Sequence, residues 1–359
     1  MSGQIRILHV LNTGSYSGAE NVVITIINNF KSYKNIECTY LSLNGNIKER
    51  LEKENINYYP IEKLSVKNLK KAIKYLKPDI IHAHDYTATI ISSLCFPKAK
   101  IISHIHNNSP WIKKRGLYSF IFLLSCFFCD KILTVSDSIE KEYVFSKYII
   151  KKIKCVGNPV DVNKIKELSN KYTIKEHYDM VFLGRITEPK NPELLIEIIE
   201  NLVIKMPNIK VAIVGEGDMF LKIKKILENK LLMNNVKMFG FVENPYPILK
   251  NSKLLCLPSK WEGYGLVAVE ALSLGLPVVC SGVGGLKNIV NEKCGMICNQ
   301  KIEFYVDEII KLLSVNNYYL LKSKNAIIRA KNLDNINIYM NNIFEIYKTN
   351  YRIRNGDLF

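Results

Sequence analysis

Short runs of β-branched and other apolar residues alternate along this chain with longer segments whose apolar residues recur at helical spacing. In the first half the short runs predict strands at Ile5–Asn12, Cys38–Leu43, Asp79–Ala83, Lys100–His104, Lys131–Val135 and Ile153–Val156. In the second half they predict strands at Met180–Leu183, Lys210–Val214, Val236–Phe239, Leu254–Leu257 and Val278–Cys280. The helical patterns include Ala19–Phe30, Glu193–Lys205 and Phe220–Asn229. This alternation predicts an α/β protein whose parallel sheets are covered by helices.

The strands and helices form two similar series, which suits a chain of 359 residues divided into two domains of about 150–200 residues each. The polar segment Val162–His177 between the two series predicts a hinge. We therefore expect one Rossmann-like domain at residues 1–165 and a second at residues 166–334. A late helical pattern at Asn335–Tyr351 predicts that residues 335–359 pack back onto the first domain.

The chain carries 50 Lys and Arg against 33 Asp and Glu, a formal net charge of +17. Residues 1–165 carry 24 against 13, so they hold +11 of this excess and the remainder holds +6. A basic surface attracts nucleotide phosphates, nucleic acid or an anionic membrane. A coding bias toward Lys, Asn and Ile would produce the same excess without any function, and composition alone leaves both readings open.

Nine cysteines are scattered along the chain, and the sequence runs from Met1 into the first strand without a secretory signal. An odd number of thiols without a leader predicts a reducing, cytoplasmic location. The pairs Cys126–Cys129 and Cys294–Cys298 lack the second half of a zinc site at a usual spacing, so neither pair predicts a metal.

The fourteen residues Gly116–Cys129 are uncharged and largely apolar, but they are fewer than the roughly 20 residues that span a membrane. One reading is a buried helix that packs on a sheet. The other is a segment that dips into a membrane interface, because Lys113, Lys114 and Arg115 directly before it suit anionic head groups.

Ligands of open parallel sheets bind beyond the carboxyl ends of the strands, so the loops after strands are examined for chemistry. The loop Asn12–Glu20 carries glycines and leads into a helix whose free N–H groups suit an anion or a sugar hydroxyl. It lacks the GxGxxG fingerprint, which argues against NAD.

His104 and His106 alternate along a strand and therefore share one face, and His82 and His84 end the strand before it. No third ligand is evident, so these histidines are interpreted as polar site residues rather than as a metal site.

The loops of the second half carry sharper signals. Arg185 follows a strand and Lys190 comes shortly after it, and this pair of cations suits a diphosphate through bidentate and point-charge contacts. Glu262 lies in a glycine-containing loop, and Glu270 lies on the helix that follows. The glycines bracket a helix start near Leu266, where backbone N–H groups would meet a phosphate.

Together these segments resemble the retaining glycosyltransferases of family 4, which have the GT-B architecture of two Rossmann-like domains facing each other across a cleft. The resemblance covers nearly the whole chain and is most specific in the two glutamates separated by seven residues. The segments that fit in the expected order are Gly18-Ala19-Glu20, Asn158-Pro159-Val160-Asp161, Gly184-Arg185 with Lys190, Gly215-Glu216-Gly217, Pro258–Ala271, Gly275–Val279 and Gly284-Gly285. Pro159 departs from the glycine that is common in the family, and it removes an N–H, which weakens the case for Asn158 as a site residue.

The resemblance implies a role for each matching position. Arg185 and Lys190 would neutralise the donor diphosphate as it leaves. Glu262 would hold the donor sugar and Glu270 the ribose, while His106 would face the sugar near the reacting carbon. The implied catalytic residues are His106, Arg185, Lys190 and Glu262. The implied donor-binding residues are Gly18, Arg185, Lys190, Val242, Glu262, Gly263, Tyr264, Gly265, Leu266, Val267 and Glu270.

The resemblance also implies a reaction, in which a hexose or N-acetylhexosamine moves with retention from a nucleotide-sugar, first of all a UDP-sugar, to a saccharide or lipid-linked acceptor. Capsule, lipopolysaccharide or exopolysaccharide synthesis is the implied setting, at the inner face of the plasma membrane. No Asp-x-Asp pair occurs, so no metal or other cofactor is expected, and protein cations would stabilise the leaving group. The alternatives are a sugar-nucleotide epimerase of the same architecture and a catalytically silent, membrane-docked subunit. No motif organises the basic residues for nucleic acid.

Overall fold

The computed structural model describes residues 4–299 and 301–355, and the chain divides into two compact units. The first unit consists of the chain up to Pro159 together with the segment from Ile336 onward. The second unit is Val160–Asn335. Each unit is built on one parallel sheet, as the alternating pattern predicts.

The first unit contains a seven-stranded sheet. Its strands are β1 Ile5–Val10, β2 Ile36–Leu43, β3 Tyr58–Ile61, β4 Ile80–His84, β5 Lys100–Ile105, β6 Lys131–Thr134 and β7 Ile153–Cys155. Their order is β3-β2-β1-β4-β5-β6-β7, so the direction in which strands are added reverses between β1 and β4. The helices of this unit are α1 Gly18–Phe30, α2 Ile47–Lys53, α3 Val66–Leu76, α4 Asp85–Leu94, α5 Leu117–Phe127, α6 Asp137–Glu142 and, at the end of the chain, α15 Ile336–Asn355.

The second unit contains a six-stranded sheet. Its strands are β8 Tyr178–Leu183, β9 Val211–Val214, β10 Val236–Gly240, β11 Ser252–Leu257, β12 Val278–Ser281 and β13 Gly295–Cys298. Their order is β10-β9-β8-β11-β12-β13, with the reversal between β8 and β11. The helices are α7 Val162–Ser169, α8 Pro192–Lys205, α9 Phe220–Asn229, α10 Tyr246–Lys250, α11 Leu266–Ser273, α12 Leu286–Ile289, α13 Ile302–Ser314 and α14 Asn316–Leu333.

Two strands were missed by the sequence analysis, and both lie at the edge of a sheet. β3 contains Pro60, which has no N–H for a strand ladder and is tolerated only where one side of the strand is unpaired. β13 has four residues and follows the polar run Asn291–Lys293. Edge strands are short and carry little of the apolar pattern on which the prediction relied.

The boundaries between the units differ from the predicted ones, because Pro159 rather than residue 165 ends the first segment and Asn335 rather than residue 334 ends the second unit. Val160 and Val162 are each 2% exposed and pack into the core of the second unit. The chain passes between the units twice, before Val160 and after Asn335. The Val160 N–H donates to Oδ1 of Asn335 at 2.9 Å, so a hydrogen bond joins these two points. The segment expected as a hinge therefore begins with α7, a helix of the second unit that is capped by Asp161.

α15 packs on the first sheet, where it contacts β4 and β5. Tyr339, Ile343 and Tyr347 recur at helical spacing and are buried. The hydroxyl of Tyr347 lies 2.7 Å from Nδ1 of His82. The expected return of the chain to its first domain is confirmed, and it covers the face of the sheet that carries the histidines.

The segment Gly116–Cys129 was expected either to form a buried helix or to dip into a membrane interface. One side of α5 is buried, as the first of these alternatives predicts. Phe122, Leu123 and Cys126 are buried. The other side exposes apolar side chains, namely Leu117, Tyr118, Phe120, Leu124 and Phe127. In the described parts of the chain, no helix combines the length and the apolar character that crossing a membrane requires.

Candidate functional site

The loops that carry most of the predicted donor-binding residues meet at one edge of the second sheet. β8 and β11 are neighbours from which the chain progresses in opposite directions. Ligands of such sheets bind in the crevice beyond the carboxyl ends of the strands at this switch point. Arg185 and Lys190 follow β8 and Glu262 follows β11, so the fold places all three beside the switch point.

The loops after β8 and β9 pack backbone against backbone, which requires glycine. The Ile186 N–H donates to the carbonyl oxygen of Glu216 at 2.8 Å. A Cβ on Gly215 would lie 2.0 Å from the carbonyl oxygen of Gly184, and a Cβ on Gly217 would lie 2.4 Å from that of Ile186. The backbone on both sides of the predicted phosphate-binding arginine is therefore held in place by its neighbours.

The two predicted phosphate-binding cations differ in their surroundings. Arg185 is exposed, and within residues 4–299 and 301–355 it forms no ion pair. Nζ of Lys190 lies 2.5 Å from Oε2 of Glu262, and these side chains are only 18% and 14% exposed. The Lys260 N–H donates to the carbonyl oxygen of Pro189 at 2.9 Å, which fastens the loop after β11 to the turn before Lys190. Lys190 and Glu262 thus form one unit, whereas the sequence analysis assigned them separate partners.

A glycine pair after β12 positions the backbone of the loop that carries Glu262. Gly284 has a φ of +51°, and a Cβ there would lie 1.7 Å from the carbonyl oxygen of Glu262. The Gly285 N–H donates to the carbonyl oxygen of Gly263 at 2.8 Å. A Cβ on Gly285 would lie 2.3 Å from the carbonyl oxygen of Tyr264. The loop can keep this course only while both positions lack a side chain.

α11 begins directly after Gly265, whose φ of +99° strains any residue with a side chain. The first turn of a helix has N–H groups without intrahelical partners, and the helix dipole adds partial positive charge there. Leu266 and Val267 form this turn, and their side chains pack against the core of the second unit. The arrangement can therefore hold an anion beside Lys190.

Glu270 lies one turn into α11 and is partly buried. The hydroxyl of Tyr246 donates to its Oε1 at 3.0 Å. Burial raises the pKa of Glu270 to about 7, and the bond from Tyr246 opposes this rise in part.

Val242, the predicted base-binding residue, lies half-buried in the loop between β10 and α10. Tyr246, the first residue of α10, was not predicted, and its position directly after this loop was the signal that could have found it.

Two predicted residues, Gly18 and His106, belong to the first unit. Gly18 opens α1, and a Cβ there would meet nothing within 4 Å, so the space beside it is open. The His106 N–H donates to Oδ1 of Asp85 at 2.8 Å. Burial lowers the pKa of His106 to about 3, so its ring is neutral at physiological pH.

Five histidines converge on one face of the first sheet, although the sequence pattern predicts only two separate pairs. The five are His9, His82, His84, His104 and His106. The register places His9 opposite His82 and His84 opposite His104. Nδ1 of His84 lies 2.9 Å from Nε2 of His106, and Nε2 of His84 lies 3.0 Å from Nδ1 of His9. The view that no third ligand was available was wrong, because the sequence does not show which strands are neighbours.

Two families match this chain. Residues 16–164 match the family described as Glycosyltransferase Family 4, and residues 164–332 match Glycosyl transferases group 1. An uncharacterised glycosyltransferase of Methanocaldococcus jannaschii is 32% identical over 230 residues, which are 58% of this chain and 57% of that relative. The UDP-Gal:α-D-GlcNAc-diphosphoundecaprenol α-1,3-galactosyltransferase of Escherichia coli is 26% identical over 294 residues, 75% of this chain and 76% of that relative. The Staphylococcus aureus capsular polysaccharide biosynthesis glycosyltransferase CapH is 26% identical over 300 residues, 78% and 82% of the two chains.

Solved structures share the fold. Anabaena HepE in complex with UDP and glucose has a TM-score of 0.83 at 18% identity, covering 96% of this chain and 100% of that one. Sucrose-phosphate synthase of Thermosynechococcus elongatus has a TM-score of 0.77 at 15% identity, covering 98% and 100%. Two Rossmann-like units with these neighbours define a protein of the GT-B class. The chain belongs to the family 4 glycosyltransferases, and the predicted family and fold class are confirmed.

Proposed function

We propose that this glycosyltransferase moves a hexose or N-acetylhexosamine from a UDP-sugar to a saccharide or lipid-linked acceptor, with retention, in the synthesis of a cell-surface polysaccharide. The observation that carries the proposal is the Lys190–Glu262 pair, which, like Arg185, lies in the loops that follow the neighbouring strands β8 and β11 at the switch point. HepE binds UDP-glucose in its crystal structure, which supports UDP as the nucleotide. The names of relatives from Escherichia coli and Campylobacter jejuni specify undecaprenol-linked acceptors, which supports a lipid-linked acceptor.

In the proposed reaction, negative charge builds on the diphosphate as the bond to the sugar breaks. Arg185 and Lys190 carry fixed positive charge, and the first N–H groups of α11 add oriented donors. Groups that meet developing charge stabilise the transition state more than the ground state, by about 2–4 kcal/mol each. Glu262 would accept hydrogen bonds from the sugar hydroxyls while Lys190 holds it in place. We expect the step to need no added metal.

We propose that His106 acts on the donor sugar as a neutral hydrogen-bonding group. The pKa of about 3 keeps its ring unprotonated across the physiological range, so it is a poor general acid. Its bond to His84 fixes the orientation of the ring. Asp85 holds the backbone of the same residue.

The test of the proposed function is acceptor-dependent release of UDP. The protein is incubated with UDP-glucose, UDP-galactose and their N-acetyl derivatives, with and without a saccharide linked to undecaprenyl diphosphate. We expect UDP and an α-linked glycolipid, identified by NMR, and no loss of turnover in EDTA. Conversion of a nucleotide-sugar without acceptor would favour the epimerase. Binding of UDP without turnover on any acceptor would favour the silent subunit.

We also propose that α5 docks the protein on an anionic membrane, at the cytoplasmic face where the acceptor would lie. Leu117 and Tyr118 are each 72% exposed, and Phe128 beyond the end of the helix is 53% exposed. Lys114 and Arg115 are exposed directly before the helix. Aromatic and apolar side chains insert at the bilayer interface, and adjacent cations bind anionic head groups.

Substitutions in α5 should weaken binding to vesicles that contain phosphatidylglycerol. Leu117→Ser/Phe120→Ser removes inserted apolar surface, and we expect binding at least tenfold weaker at any salt concentration. Lys114→Ala/Arg115→Ala removes about 1 kcal/mol of attraction per charge, and this deficit should vanish at high salt. Cosedimentation measures both. Leu221→Ser, at a position 77% exposed in the second unit, is the matched control and should bind like the parent protein.

Donor binding should depend on pH through Glu270. Its pKa of about 7 means that the carboxyl group is protonated below this pH and ionised above it. Only the ionised form accepts strong hydrogen bonds from both ribose hydroxyls, so UDP-glucose should bind roughly tenfold more tightly at pH 8 than at pH 6. Calorimetry with Glu270→Gln should show no such dependence. Tyr246→Phe removes the bond that lowers the pKa and should move the transition to higher pH. A Glu270→Gln profile identical to the parent profile would exclude this role.

A further inference from the structure

The histidine cluster of the first unit leaves many ring nitrogens unsatisfied. Among the described residues, neither nitrogen of His104 has a hydrogen-bond partner, and that side chain is 0% exposed. Nε2 of His9, Nε2 of His82 and Nδ1 of His106 are also buried and unpaired. Buried polar atoms nearly always have partners, and each one left without costs about 1–3 kcal/mol. Such a cluster indicates a bound ligand that accepts lone pairs from several imidazoles at once.

The geometry points to a divalent transition-metal site formed by His84, His104 and His106, with Zn²⁺ as its simplest occupant. One ring nitrogen from each of the three lies within 4.8 Å of the other two. Nδ1 of His84 and Nε2 of His106 are 2.9 Å apart. Two nitrogens bound to one tetrahedral zinc at about 2.0–2.1 Å are roughly 3.3 Å apart, so this pair is already near ligand spacing. Three imidazoles and one open position are a donor set that zinc uses in proteins.

The surroundings of these rings suit metal ligands. His84 and His104 are 3% and 0% exposed, so water does not compete for their ring nitrogens. Oδ1 of Asp85 accepts the backbone N–H of His106, which fixes the main chain that carries this ligand. His106 is the one member of the trio that is partly exposed, and it offers a route for the ion.

A second trio, His9, His82 and His84, also has nitrogens within 4.8 Å of one another. It is the weaker candidate, because Nδ1 of His82 is already within 2.7 Å of the Tyr347 hydroxyl and all three rings are buried. No cysteine belongs to either trio, nor to any other three-ligand group in the described residues. The two trios share His84, so substitutions at His9 and His104 separate them.

A metal ion bound at this site would inhibit the enzyme and would take no part in catalysis. His106 would be a ligand of the ion and could not turn its ring toward a donor sugar. This consequence rests on the proposed function, whereas metal binding does not. The inference also replaces the expectation that the histidines act only as polar site residues.

The direct experiment is a titration of the metal-free, full-length protein with ZnCl₂. Calorimetry measures the binding, and thermal shift measures the unfolding temperature. We expect one Zn²⁺ per chain and a rise in the unfolding temperature. Co²⁺ as a spectroscopic probe should give d–d bands without the thiolate charge-transfer band that a cysteine ligand produces. Failure of the parent protein to bind one Zn²⁺, or a thiolate band at one equivalent of Co²⁺, would overturn the proposal.

Substitutions of single histidines identify which of them bind the zinc ion. His104→Leu should weaken zinc binding at least a hundredfold without lowering the unfolding temperature of the metal-free protein, since it removes two unpaired nitrogens from a core position. His9→Leu, inside the cluster, and His177→Gln, exposed in the second unit, should bind like the parent protein. Retained binding in His104→Leu with loss in His9→Leu would assign the ion to the other trio. If His104→Leu does not fold, His106→Ala at the partly exposed position should show the same loss of binding.

The consequence for activity is tested separately. Zinc should inhibit transfer by the parent protein at least tenfold and should not inhibit His104→Leu. If no nucleotide-sugar is turned over by any protein, the proposed function fails and the binding titration still decides whether the metal site exists. Stoichiometric binding with undiminished turnover would keep the site and exclude the inhibition.

Discussion

Replacing Arg185 and Lys190 together by alanine should lower kcat for sugar transfer by at least 10³-fold. Both cations follow β8, the neighbour of β11, and the leaving diphosphate is proposed to bind beyond the ends of these two strands. One donor that meets developing charge is worth about 10²–10³ in kcat, and these two are formally charged. UDP release from UDP-glucose in the presence of acceptor measures the effect.

The two single substitutions should differ, because in the part of the chain that the structure describes the Lys190 side chain has an ion-pair partner and the Arg185 side chain has none. Arg185→Ala removes an exposed side chain, so we expect a loss of kcat without a change in unfolding temperature. Lys190→Ala also leaves the carboxylate of Glu262 unpaired at 14% exposure, so this variant should lose stability as well. Lys224→Ala, at an exposed position of α9, is the matched control. Turnover by Arg185→Ala within threefold of the parent value would refute the assigned role.

The fold was predictable because many of its strands are short apolar runs that are buried on both faces. β9 consists of four apolar residues and is buried at every position, and such a run between helical patterns has few other interpretations. β3 was missed for the opposite reason, since an edge strand with Pro60 carries no such pattern. The boundary at Pro159 depends on Val160 packing into the second core, a contact with residues far along the chain. Local patterns cannot report such contacts.

The place of the candidate site in the second sheet was predictable, but its contacts were not. The positions after β8 and β11 follow from the rule for parallel sheets, and the family resemblance added the roles. The ion pair between Lys190 and Glu262 joins residues 72 apart in sequence. The hydrogen bond from Tyr246 to Glu270 joins α10 to α11. The contacts from His9 through His84 to His106 join β1, β4 and the residue that follows β5. These contacts depend on which strands are neighbours, which is a property of topology.

Gly284→Ala should reduce kcat/KM about a hundredfold although residue 284 has no predicted contact with substrate. The new Cβ would lie 1.7 Å from the carbonyl oxygen of Glu262, far inside contact distance, so one of the two loops must move. The φ of +51° adds strain of roughly 1–2 kcal/mol for a residue with a side chain. A displacement near 1 Å of a positioned group costs about 10²-fold in rate.

We expect the strain to be confined to the two loops, because β11 and β12 keep their pairing on either side of them. Far-ultraviolet circular dichroism should therefore stay unchanged while steady-state kinetics reveal the loss. Gly116→Ala is the matched control, since a Cβ there meets nothing within 4 Å and its φ is ordinary for any residue. If Gly284→Ala kept full activity, the loop after β11 would be free to shift without consequence. The position of Glu262 would then not matter for transfer, and its proposed contact with the donor sugar would have to be abandoned.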